Sequence, residues 1–200
     1  MKLAILSNLG FRQRGLRRSD GERMYFEVTK EFSGPGIHTR PPEPWTADMR
    51  GIVRQLKRNG YTHLALISYS HGQAAAQAAA REARRLDMPV LLWLACDPVF
   101  RAKWLPRSNW LQPLSFRAML KRGTIRVERN IKRVVYCRQT LNRPNGHDLV
   151  KTPGSSTHIS YPIVLPYRHG EIDGAPEWFS IVHHELTHLT RPLRANPIEP

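Results

Sequence analysis

The sequence predicts an α/β domain of three layers, a mainly parallel sheet with helices on both faces. Three observations carry this expectation. His63 to Ile67 and Pro89 to Ala95 are apolar runs of strand length, and fully apolar strands belong to parallel sheets covered on both sides. The Ala-rich stretch Gln73 to Arg85 lies between them, which makes the block a strand, helix, strand unit. The rest of the chain continues to alternate strand-like and helix-like segments. Two hundred residues suit one core, so residues 1–200 are expected to form a single domain.

Lys2 to Ser7 reads as the first strand, opening into the turn Asn8-Leu9-Gly10-Phe11. Arg12 to Glu22 is polar and basic. Met24 to Thr29 has the β-branched and aromatic content of a short strand, and Ser33-Gly34-Pro35-Gly36 breaks it. Pro41 to Pro44 is a second breaker. Met49, Ile52, Val53 and Leu56 then fall at helical spacing, closed by Asn59-Gly60. After the central unit, Phe100 to Leu120 holds Trp104, Trp110, Phe116 and two prolines without clean periodicity, and is expected to be an insertion that caps a site. Val134 to Gln139 reads as a further strand and Asn142 to Gly146 as a turn. Asp173 to His188 reads as the last helix, entered through Gly174-Ala175-Pro176.

Hydrophobic residues are 40% and charged residues 24% of the chain, ordinary values that exclude a disordered tail. The longest apolar stretch, Val90 to Cys96, is far below the roughly 18 residues of a membrane-spanning helix, and Asn8 interrupts the N-terminal run before a signal-peptide pattern forms. A cytoplasmic location is the expectation. The 31 Lys and Arg against 16 Asp and Glu leave +15, with a pI near 10.7. Such a charge attracts polyanions and anionic membrane surfaces in a salt-dependent way, although the basic residues are spread along the chain and no nucleic-acid-binding signature appears. The only cysteines, Cys96 and Cys137, have no CxxC spacing and fit free thiols in a reducing compartment.

The chemistry-bearing segment is Ser68-Tyr69-Ser70-His71-Gly72. Small residues two before and two after Ser70 permit a sharp strand-to-helix turn that leaves the hydroxyl exposed. The block resembles the nucleophile elbow of the α/β-hydrolase (lipase/esterase) superfamily, with Ser68 in place of the first glycine of G-x-S-x-G. The resemblance implies a small α/β-hydrolase fold, no cofactor, and a serine hydrolase acting on a small acyl ester or thioester.

A serine hydroxyl needs a base oriented by an acid, and in this superfamily the chain order is serine, acid, histidine. Asp97, in Cys96-Asp97-Pro98, follows the next strand at the sheet edge that also carries Ser70; it resembles the acid position of lipases, with Asp148 as the fallback. His147, His158, His169, His183, His184 and His188 all follow it. Arg168-His169-Gly170-Glu171 precedes the last helix and resembles the terminal histidine loop of α/β hydrolases, which makes His169 the base and leaves His158 and His147 as substitutes. The resemblance implies oxyanion donors from the backbone of His71 and of the Gly10-Phe11 turn.

A competing motif is His184-Glu185-Leu186-Thr187-His188, an H-E-x-x-H string that on a helix places two imidazoles on one face for zinc, with Glu185 as base. Catalytic zinc uses three protein ligands, and only Glu199 remains downstream, so a terminal helix covering the sheet is the favoured reading. A non-catalytic basic binding protein on the same fold is the third class.

Overall fold

A computed structural model of the chain describes residues 1–10, 13, 19–99 and 124–195. The strands are β1 (Leu3–Asn8), β2 (Ile37–Thr39), β3 (His63–Tyr69), β4 (Val90–Cys96), β5 (Thr124–Val127), β6 (Ile131–Arg138), β7 (Asp148–Lys151), β8 (His158–Ile159) and β9 (Ile163–Val164). The α-helices are α1 (Asp20–Phe32), α2 (Met49–Arg58), α3 (Gln73–Arg85) and α4 (Pro176–Ala195). The main sheet runs β2-β1-β3-β4-β6, with β8 and β9 both pairing with β6, and each of these pairings is parallel. β5 and β7 form a separate parallel pair.

Two apolar clusters lie on opposite faces of the sheet, so the expected three layers are present. On one face Leu6, Leu66, Val90 and Trp93 pack with Val53 and Leu56 of α2 and with the alanines of α3. Alanine lets α3 approach the strands closely, and Ala75, Ala76, Ala78, Ala79, Ala80 and Ala83 are all buried. On the other face Leu3, Ile67, Leu94 and Cys96 meet Tyr25, Val28 and Phe32 of α1 and Trp178, Val182 and Leu186 of α4. In α4 these three recur every four residues, which is one helical stripe.

One element departs from expectation. Met24 to Thr29 is helical, inside α1, rather than a strand. Met24, Tyr25, Val28 and Phe32 are the buried apolar positions and share one helix face, and Ser19 caps the start by accepting the Glu22 N–H at 3.1 Å. Periodicity and the cap outweigh β-branched propensity. The final helix likewise starts at Pro176, three residues later than expected, and Asp173 lies in a separate 3₁₀ turn, Ile172–Gly174. The expected cap at about residues 100–120 falls outside the described residues.

Connections from β1 lead through α1 to β2 on one side, and α2 then carries the chain across to β3 on the other. β1 and β3 are therefore neighbours at which the direction of the connections reverses, the place where ligands bind in parallel sheets. Gly10 follows one of these strands and Ser70 the other. Among the described residues no helix is long and apolar enough to cross a membrane.

Candidate active site

Ser70 ends β3 and opens the 3₁₀ turn Ser70–Gly72, which leads directly into α3. Its φ of +49° is left-handed, a conformation that costs a non-glycine residue roughly 1–2 kcal/mol and has to be imposed by its surroundings. Gly72 shows how. A Cβ there would lie 2.3 Å from the Asn8 carbonyl oxygen and 2.7 Å from that of Leu9, so only glycine lets the turn sit against the backbone leaving β1. Ser68 has a separate reason to be serine: its Oγ accepts the indole N–H of fully buried Trp93 at 2.9 Å. Glycine would leave that donor without an acceptor.

Asp97 is completely buried just beyond β4, also with a positive φ of +40°. Its Oδ1 accepts the N–H of Gly146 at 2.6 Å and of Gln139 at 3.1 Å, and its Oδ2 accepts the Gln139 side-chain amide at 3.3 Å. Gly146 is required there because a Cβ would fall 2.3 Å from Oδ1. Gln139 also accepts the N–H groups of Leu141 and Asn142, and so ties the loop after β6 to the carboxylate.

His169 joins the two. Its Nε2 lies 2.8 Å from Ser70 Oγ and its Nδ1 2.5 Å from Asp97 Oδ2. A carboxylate can only accept, so Nδ1 carries the proton and Nε2 is left to accept from the serine hydroxyl. The imidazole loop is anchored twice: Tyr69 donates its hydroxyl to the His169 carbonyl, and the His169 N–H donates to Asn142 Oδ1 at 2.8 Å. The Tyr69 ring also packs on the imidazole, with centroids 5.3 Å apart. Burial pushes the Tyr69 hydroxyl well above its ordinary pKa, so it stays a donor.

The other titratable candidates lie elsewhere. Asp148 is engaged by Arg138 at 2.5 Å, and exposed His158 sits on β8. His147 is buried, with its backbone N–H on the Pro98 carbonyl. His183 pairs with Glu31 at 2.6 Å. The His184 and His188 rings approach to 4.4 Å, but Glu185 is held by Arg133 at 2.7 Å. No group of three His, Cys, Asp or Glu side chains with metal-binding proximity occurs among the described residues, and Glu199 lies outside them. The H-E-x-x-H string thus supplies two imidazoles on a helix whose glutamate is committed to an ion pair, short of the three ligands of catalytic zinc.

Of the residues expected as oxyanion donors, His71 is fully buried immediately after Ser70, its ring edge-on to Trp45. The Gly10 N–H donates to Gln13 Oε1 at 2.9 Å, which removes it as an uncommitted donor. Phe11 lies outside the described residues. Cys96 and Cys137 are free thiols facing each other across β4 and β6, with their sulfurs 3.4 Å apart.

No family model and no curated protein matches this chain. Solved structures do. The product of the lin2722 gene of Listeria innocua superposes with a TM-score of 0.50 at 14% identity over 92% of each chain. YbtT, a type II thioesterase from the yersiniabactin biosynthetic pathway, is similar in its mutant form with a TM-score of 0.49 at 9% identity, covering 94% of this chain and 93% of that one. The likeness to the lin2722 product shows a shared fold, a mainly parallel sheet covered by helices on both faces. Within this fold the Ser70 turn, Asp97 after the next strand and His169 before the last helix occupy one edge of the sheet.

Several residues that hold this arrangement carry no signal in the sequence. Tyr69, Gln139, Asn142 and Gly146 act by touching the other three, and their partners are up to 100 residues away. Asp173 is another. It is buried beside the His169 loop, and desolvation pushes its carboxyl up to about 6 against the lowering effects of Gln13 and His169.

Proposed function

We propose that this protein is a serine hydrolase that cleaves a small carboxylic ester or thioester through a covalent acyl-enzyme. The observation that carries the reading is the unbroken hydrogen-bonded row from Ser70 Oγ through the His169 ring to Asp97, with contacts of 2.8 and 2.5 Å. Ser70 Oγ attacks the acyl carbonyl carbon while its proton passes to His169 Nε2. Asp97 fixes the tautomer and stabilises the imidazolium, its own charge held in place by the N–H groups of Gly146 and Gln139. The oxyanion is met by the backbone N–H of His71 and by a second donor from the turn after β1, in which the Gly10 N–H is already given to Gln13. The tetrahedral adduct then expels the alcohol or thiol, which takes the proton from His169. Water activated by the same imidazole hydrolyses the acyl-serine.

A net charge of +15 adds a salt-dependent attraction for anionic partners, spread over exposed side chains such as Arg50, Lys57, Arg58, Arg84 and Arg129. The test of the catalytic reading is incubation with a fluorophosphonate probe, followed by intact mass and peptide mapping, with Ser70→Ala as control. One adduct on Ser70, absent from the variant and indifferent to chelator, is the expected result. A folded protein that takes up no probe overturns the mechanism.

A further inference from the structure

The geometry points to Asp173 as a positioning residue of the hydrolase site, one that acts through Gln13 to brace the Gly10 turn beside Ser70 against the loop that carries His169. The inference rests on the reading of Ser70 and His169 as nucleophile and base, and it adds a residue with no place in the serine, histidine, acid row.

The Gln13 side chain joins two local partners, Gly10 and Ser19, to Asp173, 160 residues away. Its Nε2 donates to Asp173 Oδ2 at 2.5 Å and to Ser19 Oγ, the cap of α1, at 3.1 Å. Its Oε1 accepts the Gly10 N–H at 2.9 Å. A primary amide has one acceptor oxygen, and here that oxygen is given to the backbone of the turn after β1. That turn borders the nucleophile, since a Cβ on Gly10 would lie 2.7 Å from the Tyr69 ring and 3.4 Å from Ser70 Cβ. At the other end, Asp173 sits four residues after His169 in the 3₁₀ turn that leads to α4.

The carboxylate has been given a fitted place. It is 2% exposed, and a Cβ on Gly21 would lie 1.9 Å from Oδ2, so α1 needs glycine at that point to admit it. Burying a carboxylate is costly, and a structural cap would be served as well by a neutral amide. The groups that face Asp173 are Glu22 and Tyr25 from α1, Tyr69 from β3, Cys96 from β4 and His169 from its own loop. Of these only His169 can become positive. An ionised Asp173 therefore strengthens the bond from Gln13 by charge assistance and also favours the imidazolium that forms during acylation. Protonation weakens both.

The brace is tested on the full chain with Asp173→Asn, Gln13→Ala and the double variant, by two readouts. The first is the amide resonance of Gly10 followed from pH 5 to 8. It is expected to titrate with a midpoint near 6 in the unmodified protein and to lose that titration in Asp173→Asn. The second is the rate of fluorophosphonate labelling of Ser70. Each single variant is expected to slow it about tenfold at pH 8, the scale of one charge-assisted hydrogen bond, and the double variant no further than Asp173→Asn, because Gln13 acts through its link to that carboxylate. Asp173→Asn should also flatten the acid limb of the labelling profile. A Gly10 resonance that does not titrate, or that titrates unchanged in Asp173→Asn, overturns the brace, as do single losses that multiply in the double variant. If the probe labels no form of the protein, the serine-hydrolase reading fails, and the Gly10 titration alone decides whether Asp173 and Gln13 hold the turn.

Discussion

Replacing Asp173 by asparagine removes a charge that folding buries, and the consequence for stability can be worked through. Desolvation raises the folded-state pKa from an ordinary 3.8 to about 6. The folded chain thus binds this proton more tightly than the unfolded chain does. The associated stability is fully present below pH 3.8, declines as the pH rises, and is lost once the pH passes about 6. The difference of 6 minus 3.8 is 2.2 units, which at 1.36 kcal/mol per unit is about 3 kcal/mol. Asparagine has no charge to bury. The stability of Asp173→Asn relative to the unmodified protein should therefore increase by about 2.5 kcal/mol of that total between pH 4 and pH 7 and then level off, and the variant should melt some 5–10 °C higher, relative to its acid-side difference, in a protein of this size. Urea unfolding of both proteins at pH 4, 5, 6, 7 and 8 measures it directly. A stability difference that stays constant with pH, or that falls as pH rises, refutes the reasoning. Combined with slower labelling of Ser70, the expected gain would mark Asp173 as a charge retained for function at the expense of the fold.

Three other perturbations have defined outcomes. Ser68→Gly, which restores the G-x-S-x-G string, should destabilise the protein by about 2–3 kcal/mol, from the orphaned Trp93 N–H and the added strand flexibility; an unchanged urea midpoint would remove Ser68 from the account. Gly146→Ala forces a Cβ to within 2.3 Å of Asp97 Oδ1, so it should slow Ser70 labelling at least about tenfold while far-ultraviolet circular dichroism stays native, and a labelling rate equal to that of the unmodified protein counts against the role of Asp97. Binding to a 20-base-pair DNA duplex should weaken steeply with salt, log Kd rising by about 0.9 for each phosphate neutralised per tenfold salt; affinity independent of salt from 50 to 300 mM would contradict an electrostatic origin in the net charge.

Much of the fold was legible because its signals are local. The apolar runs around Ile67 and Leu94, the alanines of α3 and the Asn59-Gly60 stop each report a preference that neighbouring residues set among themselves, and together they specify a parallel strand, helix, strand unit. Ser70 could be singled out for the same reason, since an elbow needs small residues only two positions away. Where two local signals conflicted the sequence was ambiguous. Met24 to Thr29 offered β-branched and aromatic side chains as well as a helical stripe, and the face presented to the sheet beside α4 decided for the helix.

What tertiary structure alone decided is which distant groups meet. Six histidines follow Asp97, and nothing in their neighbourhoods sets the distance from an imidazole to a hydroxyl 99 residues away; that follows from where the loop before α4 crosses the sheet edge. The same holds for Asp97 over Asp148, which differ in whether Gly146 and Gln139 or Arg138 reach the carboxylate. Residue type and spacing along the chain determined the elements and their order, because helix and strand preferences act over a few residues. The partners of Ser70, the retreat of Glu185 to Arg133 and the burial of Asp173 are contacts across the fold, and burial and distance exist only once the chain has closed on itself.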